Sequence, residues 1–390
     1  MSSETADTLA RQSAVATAQR GTGPGHAGQG EAAACVAPRN RLLRCAPLAN
    51  DGHRDDEPPR TIPPPFAALR LLYLRRIVGT AFGAAGIERA THWGSWIARN
   101  LFDLNPPARK RVEASLLAAY GHTLSAARQE QLARAVFDGL ARFWVEAIFA
   151  RRLLKPGSWP RFVRVAEAGR WRQLATGPRP AILVTPYFGN VAVGAYVLGR
   201  IFRPVHVLID RIELPVLRSW QDALYADPSV RLIAREKAVR ELPRVLDAGG
   251  KVMILGDHTR RTGRAVEVPF LGRVRRCYPT IGILAARHNA RVVVFSTRRL
   301  SPPGPAFRFE VRCHEVIDPA GPVGALAEAA ASSGGPTSRP PGGRDARLRV
   351  ADPARAVIER CMAALERLIR ESPEQYDWSR VQGAPAYPSR

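Results

Sequence analysis

Short runs of β-branched and other apolar residues, alternating with helical segments, most restrict the fold of this 390-residue chain. The runs are Ala181–Thr185, Val205–Ile209, Arg231–Ala234, Val252–Leu255 and Val292–Ser296. Helical patterns among them cover Leu214–Tyr225, Ala238–Ala248 and Thr280–Arg287. Because strands that alternate with helices are typical of a sheet flanked by helices, we predict an α/β core over residues 161–318.

One uncharged segment, Ala181 to Gly199, extends over 19 residues, which is long enough for a transmembrane helix. Pro186, Gly189 and Asn190 interrupt it, and the β-branched run before them differs from the Ala, Gly and Leu residues that follow. The segment is therefore predicted to form a strand, a tight turn and a helix.

Helices are predicted on both sides of this core. Within residues 62–160, Asn105 can cap a helix that begins at Pro106, and Ser125 begins a longer helix that reaches about Phe149. Residues 352–390 are predicted to form a docking helix, capped by Asp352, and a tail of the same domain. The residues expected to pack are Leu132, Val136, Leu140, Phe143, Ala147 and Ile148 in the longer helix and Val357, Ile358, Cys361, Leu365, Leu368 and Ile369 in the last.

Two segments have too few large apolar residues to pack. Residues 1–61 are predicted to be a disordered leader and residues 319–351 a flexible insertion, since both are rich in Gly, Ala, Pro, Ser and Arg. Between leader and core, Phe66–Val78 mixes apolar residues with three arginines. This pattern favours an amphipathic helix at a membrane interface, with an ordinary packed helix as the alternative.

The formal net charge of +24 predicts attraction to anionic partners: a phospholipid surface, an acidic carrier protein or nucleic acid. Only four of the 58 basic residues are lysine, so an arginine bias of GC-rich coding explains the charge equally well. No zinc spacing or RNA-binding aromatic signature accompanies it, which disfavours nucleic acid. The five cysteines are far apart and include no C-x-x-C, so no metal site is expected.

Three motifs in order carry a family resemblance. Ala181–Ala192 is similar to a strand followed by His-Phe-Gly-Asn-Trp-Glu, and Gly256–His258 with Val268–Arg273 is similar to Asp-Gln followed by Val-Pro-Phe-Phe-Gly. Pro373–Trp378 is similar to Pro-Glu-Gln-Tyr-x-Trp, and we expect its aromatic residues to pack in the core. From Phe66 to Arg380 the chain resembles the lipid A biosynthesis acyltransferase family of the lysophospholipid acyltransferase superfamily.

The resemblance implies a mixed sheet flanked by helices, a helical N-terminal layer and a C-terminal docking helix. It also implies transfer of a fatty acyl chain from a thioester to a hydroxyl of a membrane glycolipid or lysolipid. The implied donor is an acyl carrier protein or coenzyme A thioester, with no further cofactor. The implied location is the cytoplasmic face of the bacterial inner membrane, with peripheral attachment.

The family's catalytic pair, His-x-x-x-x-Glu, is replaced here by Tyr187 and Ala192. A tyrosine of ordinary pKa, about 10, is protonated at neutral pH and is a poor base, and alanine orients nothing. The turn at Gly189 and Asn190 is kept, and its backbone N–H groups are predicted to bind an oxyanion or phosphate. Two interpretations stay open: an active enzyme with a rearranged site, and an inactive relative that binds lipid or acyl carrier.

His258 is the preferred substitute base, because it follows a strand and Asp257 directly. We predict a catalytic group of Tyr187, Asp257 and His258, in which Tyr187 donates a hydrogen bond. His206 and His288 are alternatives, and for each histidine an ordinary packing role is also compatible with the sequence.

Arginines cluster around this segment, and guanidinium groups suit phosphate and carboxylate recognition. The predicted contacts to a lipid headgroup or to phosphopantetheine are Arg260, Arg261, Arg264, Arg273, Arg275 and Arg276. Phe270, which lies among them in the sequence, is also predicted to bind substrate. A solvated basic face is the alternative.

Limited proteolysis tests the predicted division of the chain. The first cuts should fall within residues 1–61 and 319–351, because unpacked backbone enters a protease most readily. Mass spectrometry of the earliest fragments locates the cuts. Early cleavage between Ala181 and Val294 would contradict the predicted core.

Overall fold

The computed structural model describes residues 79–211, 218, 221–222, 225–259, 265–300, 307–319 and 352–380. Four predicted segments fall wholly or mostly outside the described residues: the leader 1–61, the Phe66–Val78 helix, the Leu214–Tyr225 helix and the insertion 319–351.

A seven-stranded, mostly parallel sheet forms the centre of the fold, in the order β1-β9-β8-β2-β5-β3-β4. Its strands are β1 (Val163–Val165), β2 (Ala181–Thr185), β3 (Val205–Ile209), β4 (Val230–Ala234), β5 (Lys251–Leu255), β8 (Arg291–Arg299) and β9 (Phe309–Ile317). Within the described part of this sheet, only β8 and β9 pair antiparallel, and the other neighbouring strands are parallel. The predicted α/β fold with a mixed sheet is confirmed.

Side chains of the central strand alternate between two hydrophobic cores. Ile182 and Val184 of β2 contribute to one core, whereas Ala181 and Leu183 contribute to the other. All four are buried, as the period of two in a strand requires when both faces of the sheet are covered.

Helices cover both faces of the sheet. On the Ile182 side, the core includes side chains of α6 (Ala238–Asp247), α7 (Thr280–Arg287) and α8 (Asp352–Glu371). On the Ala181 side it includes α4 (Ala168–Thr176) and α5 (Val191–Phe202). All six residues predicted for the packed face of α8 are buried, so the docking helix is confirmed.

The uncharged segment forms strand β2, a turn and helix α5, as predicted. Within the described ranges, no helix is both long and apolar enough to cross a bilayer.

The N-terminal helices are α1 (Ile87–Leu104), α2 (Pro106–Tyr120) and α3 (Ala126–Leu153). Asn105 Oδ1 accepts from the N–H of Ala108, and Ser125 Oγ accepts from the N–H of Arg128, so both predicted caps are confirmed. Helix α3 continues four residues past Phe149 and stops before Pro156, since the residue preceding a proline disfavours helix.

The prediction that Leu140 packs in the core is wrong. Its side chain is 51% exposed, because it lies at the rim of a cavity described below. Glu146, a polar residue that the predicted face omitted, is 2% exposed.

Several elements were not predicted. They are α1, β1, α4, β9 and an antiparallel hairpin of β6 (Val266–Phe270) and β7 (Arg273–Cys277). Strand β9 carries charged residues, including Glu310, which is buried and paired with Arg164, Arg298 and Arg312. Those partners come from other strands and from β9 itself, so the local pattern of hydrophobicity does not indicate the burial.

Helices α7 and α8 approach closely at Gly282. A Cβ at this position would lie 2.1 Å from the backbone oxygen of Ala354. Gly282→Ala should lower the free energy of unfolding by about 1–3 kcal/mol through overpacking, despite alanine's higher helix propensity. Urea denaturation measures the change. Gly169→Ala in α4, where nothing lies within 4 Å, is the control and should be neutral or slightly stabilising. Equal stability of the two variants would contradict the packing of α8.

Candidate active site

The Tyr187–Asn190 segment forms the turn between β2 and α5. Gly189 has φ of 58°, and a Cβ there would lie 1.8 Å from the backbone oxygen of Thr297 on β8. Only glycine therefore fits this turn. Asn190 is the N-cap of α5, because its Oδ1 accepts from the N–H groups of Ala192 and Val193, each at 3.1 Å.

A buried ion pair holds this turn against helix α3. Arg299 donates from Nε and Nη2 to the Glu146 carboxylate, at 2.6 and 2.9 Å. Asn190 Nδ2 donates to the same carboxylate at 2.7 Å. Side-chain exposure is 12% for Arg299 and 3% for Glu146, so water hardly competes. The pair joins α3, the end of β8 and the cap of α5 in one network.

The Pro373–Trp378 segment closes the other side of the turn. The side-chain amide of Gln375 accepts from the backbone N–H of Arg299 and donates to the backbone oxygen of Arg299. The backbone oxygen of Gln375 accepts from the N–H of Gly189 at 2.9 Å. Tyr376 and Trp378 are 1% and 0% exposed. The predicted core packing of these aromatic residues is confirmed.

These bonds use the backbone donors that the sequence suggested for an oxyanion. The N–H of Gly189 donates to Gln375, and the N–H of Asn190 donates to Thr297 at 3.1 Å. Neither group is a free donor in this arrangement. Gly189 borders the cavity described below, and Asn190 is buried beneath the turn.

Asp257 anchors the turn from the neighbouring strand. It is buried after β5, and its Oδ2 accepts from the Tyr187 N–H and from the Tyr376 hydroxyl, both at 3.1 Å. Burial, with the adjacent carboxylate, raises the pKa of Tyr376 well above its usual range, so its hydroxyl remains a donor. Arg275, also buried, donates to the Asp257 carbonyl oxygen at 2.7 Å.

The structure brings Tyr187 and His258 together. Strands β2 and β5 are adjacent and parallel, with Thr185 opposite Leu255, so both residues follow carboxyl ends at the same edge of the sheet. Their rings meet edge to face with centroids 5.5 Å apart. His258 is partly exposed, and no side chain in the described ranges hydrogen-bonds its imidazole. The Asp257 carboxylate is bonded to Tyr187 and Tyr376 instead.

The two alternative histidines lie away from this edge. His206 is opposite Val252, in the first half of β5, and burial lowers its pKa. His288 follows α7 at the start of β8, and its Nδ1 lies 2.6 Å from the Asp247 carboxylate.

A cavity of about 350 Å³ opens beside the turn. One wall is apolar and comes mainly from α3, with Val136, Leu140, Phe143 and Trp144. The polar part of the lining includes Tyr187, Asp210, Arg211, Arg299 and Glu374. Burial raises the pKa of Tyr225, which also borders the cavity, to about 12, so its phenol stays neutral. Such a space suits a ligand with an apolar chain and a polar head.

Phe270 and Arg273 do not line this cavity. Phe270 is fully buried in the β6–β7 hairpin, with the Arg275 guanidinium 5.3 Å from its ring centre. Arg273 donates to the backbone oxygen of Ala114 on α2. The predicted contacts Arg260, Arg261 and Arg264 lie outside the described residues.

Glu146 and Arg299 were missed by the sequence-based selection of site residues. A usable signal for Glu146 was its position beside Val145 and three residues before Phe149, on the buried face of an amphipathic helix. A carboxylate at such a position predicts a buried cation partner, but the sequence does not say which arginine supplies it.

Removal of one partner of this pair should destabilise the whole fold. Glu146→Ala leaves the Arg299 guanidinium nearly buried without its carboxylate, which typically costs about 3–5 kcal/mol in the free energy of unfolding. Glu130→Ala on the same helix removes an exposed pair with Arg134 and should cost no more than about 1 kcal/mol. Urea titration compares the two variants, and equal losses would contradict the network.

Comparison with known proteins identifies the family of the chain. No curated protein matches the chain. Residues 65–331 match the sequence model of the family described as bacterial lipid A biosynthesis acyltransferase. The match spans more than half of the chain and includes the turn, the Asp257–His258 segment and the β6–β7 hairpin. The chain therefore belongs to the bacterial lipid A biosynthesis acyltransferase family.

Proposed function

We propose that this protein transfers a fatty acyl chain from a thioester to a hydroxyl of a lipid A precursor or related lysolipid, with His258 as the general base. Family membership suggests acyl transfer to lipid A precursors. The observation that carries the finer proposal is the contact between the Tyr187 and His258 rings beside the cavity.

Acyl transfer of this kind needs a base for the attacking hydroxyl. The base removes the proton of the hydroxyl, and the hydroxyl oxygen forms a bond to the thioester carbonyl carbon. The carbon–sulfur bond then breaks, and the leaving thiolate takes a proton. An imidazole exchanges protons near neutral pH, whereas an ordinary phenol does not. His258 is partly exposed at the strand edge where ligands of open α/β sheets gather, which supports this assignment.

Tyr187 is the residue that joins the cavity to the proposed base. Its side chain borders the cavity and contacts the His258 ring, so an acceptor hydroxyl beside Tyr187 is also near the imidazole. We assign Tyr187 a positioning role, in which its hydroxyl donates a hydrogen bond to the substrate.

The cavity supports a substrate that is both apolar and anionic. Phe143 and Trp144 offer an apolar wall for an acyl chain, and the exposed Arg211 at the rim offers a guanidinium to a phosphate or carboxylate. The net charge of +24 favours both an acidic acyl carrier donor and peripheral attachment to the cytoplasmic face of the inner membrane.

A histidine substitution tests the mechanism. His258→Ala should lower the rate of acyl transfer by about 10²–10⁴-fold, the usual contribution of a general base. Tyr187→Phe should cost less, because the phenol only positions the substrate. Mass spectrometry follows one added acyl chain on a micellar acceptor, with thermal unfolding as the check on folding. An unchanged rate in His258→Ala removes this mechanism.

A second function is favoured by one observation. The Asp257 carboxylate accepts from Tyr187 and Tyr376 through Oδ2, and within the described residues no hydrogen bond joins it to the His258 imidazole. A non-catalytic relative that binds lipid or acyl carrier fits this arrangement. An inactive wild type, with activity restored by Tyr187→His together with Ala192→Glu, would establish that alternative.

A further inference from the structure

Helix α1 presents an uncovered apolar stripe to the exterior. Trp93, Trp96, Ile97, Leu101 and Leu104 are each between 39% and 79% exposed. Their spacing of three to four residues puts them along one side of the helix, over about three turns. Another side of α1, with Ala90, Gly94, Ala98 and Phe102, is buried. Exposed apolar side chains grouped in this way mark an interaction surface.

The stripe lies on the same side of the helix pair α1–α3 as the cavity. The two helices pack antiparallel, because Gly94 meets Val145 whereas Phe102 meets Phe137. Suppose that residue i of one helix contacts residue j of an antiparallel helix. The preceding residues, i−1 and j−1, then point to the same side of the helix pair.

On α1 the positions before the contact residues are Trp93, Ile97 and Leu101, in the stripe. On α3 the positions before Phe137, Ala141 and Val145 are Val136, Leu140 and Trp144, which line the cavity. Leu140 is 51% exposed, so the apolar surface continues from the stripe to the cavity rim.

Exposed cationic side chains accompany the stripe. Arg89 and Arg99 are exposed on α1 itself, and Lys110 and Arg111 are exposed on α2, shortly after Leu104 ends the stripe. Two tryptophans among aliphatic residues, with basic groups nearby, suit the boundary between hydrocarbon and anionic headgroups. This combination fits a bilayer better than a polar protein partner.

We propose that the α1 stripe and Leu140 form a membrane-docking surface that contacts the interface of an anionic phospholipid bilayer. This inference rests on the proposed function, because docking of this face sets the cavity rim against the leaflet that supplies a lipid acceptor. The acceptor then moves from the leaflet into the cavity without its acyl chains crossing water.

Vesicle binding by the full chain tests the surface. Ile97→Ser with Leu101→Ser should lower partitioning onto phosphatidylethanolamine vesicles that contain phosphatidylglycerol by at least about tenfold. The matched control is Val239→Ser with Val274→Ser, two residues of similar exposure on α6 and β7, which should leave partitioning unchanged. Equal thermal unfolding of the two variants shows that folding is not the cause.

Each outcome separates docking from catalysis. Unchanged vesicle binding by the Ile97/Leu101 variant overturns the docking surface, as does a wild-type dimer in solution that becomes a monomer in that variant. Reduced vesicle binding with a normal rate on an acceptor in detergent micelles supports docking. Absence of transfer in wild-type micelles counts against the proposed function alone, since the vesicle measurement does not depend on it.

Discussion

The buried pair of Glu146 and Arg299 is the interaction on which the placement of the site depends. Both charges are largely removed from water, so each needs the other as a partner. Asn190 Nδ2 donates a further hydrogen bond to the Glu146 carboxylate. The three residues come from α3, β8 and the cap of α5, which are far apart in the sequence. A buried pair is a weak source of net stability, but it penalises any arrangement that separates its members. Its contribution is therefore the geometry of the turn that carries Tyr187.

The turn between β2 and α5 is specified by backbone contacts rather than by the side chain of Tyr187. Gly189 is required by a positive φ and the approach of Thr297, and Gln375 fixes the turn through backbone groups. The Asp257 carboxylate accepts from the backbone N–H of Tyr187, a group that every residue except proline has. The contact with Asp257 uses the backbone of Tyr187 and no atom of its side chain, so it does not depend on the type of side chain at this position. The scaffold is retained whether or not a base acts there.

The sequence predicted those features that depend on local patterns. Apolar, largely β-branched runs placed β2 and β3 with the observed bounds. The apolar character of β2 is continuous because this central strand is covered on both faces. The face of α8 followed from a period of 3.6, and the caps at Asn105 and Ser125 followed from residue type. Strand β9 was not predicted, because a glutamate such as Glu310 in the sequence indicates an exposed position. Its burial is explained only by the three arginines that pair with it in the folded protein.

The same limit applies to the site. Proximity of Tyr187 and His258 followed from strand ends, but the direction of the Asp257 carboxylate did not, because it depends on Tyr376 more than 100 residues later. Phe270 belongs to a motif that resembles the family, yet it is fully buried in the hairpin. A motif thus identifies residues that the family needs without separating those that build the fold from those that touch substrate.

The position of the cavity connects these observations. Helix α3 contributes Glu146 to the buried pair, Val145 to the contact with α1, and Leu140 and Trp144 to the cavity wall. Nearby residues of one helix therefore face the turn, helix α1 and the cavity. Since α3 is fixed to the turn by Glu146, the apolar wall stands at a set distance from Tyr187. A ligand with its acyl chain on that wall and its polar head near Arg211 would place the atoms between chain and head near Tyr187. The proposed base, His258, lies beside Tyr187.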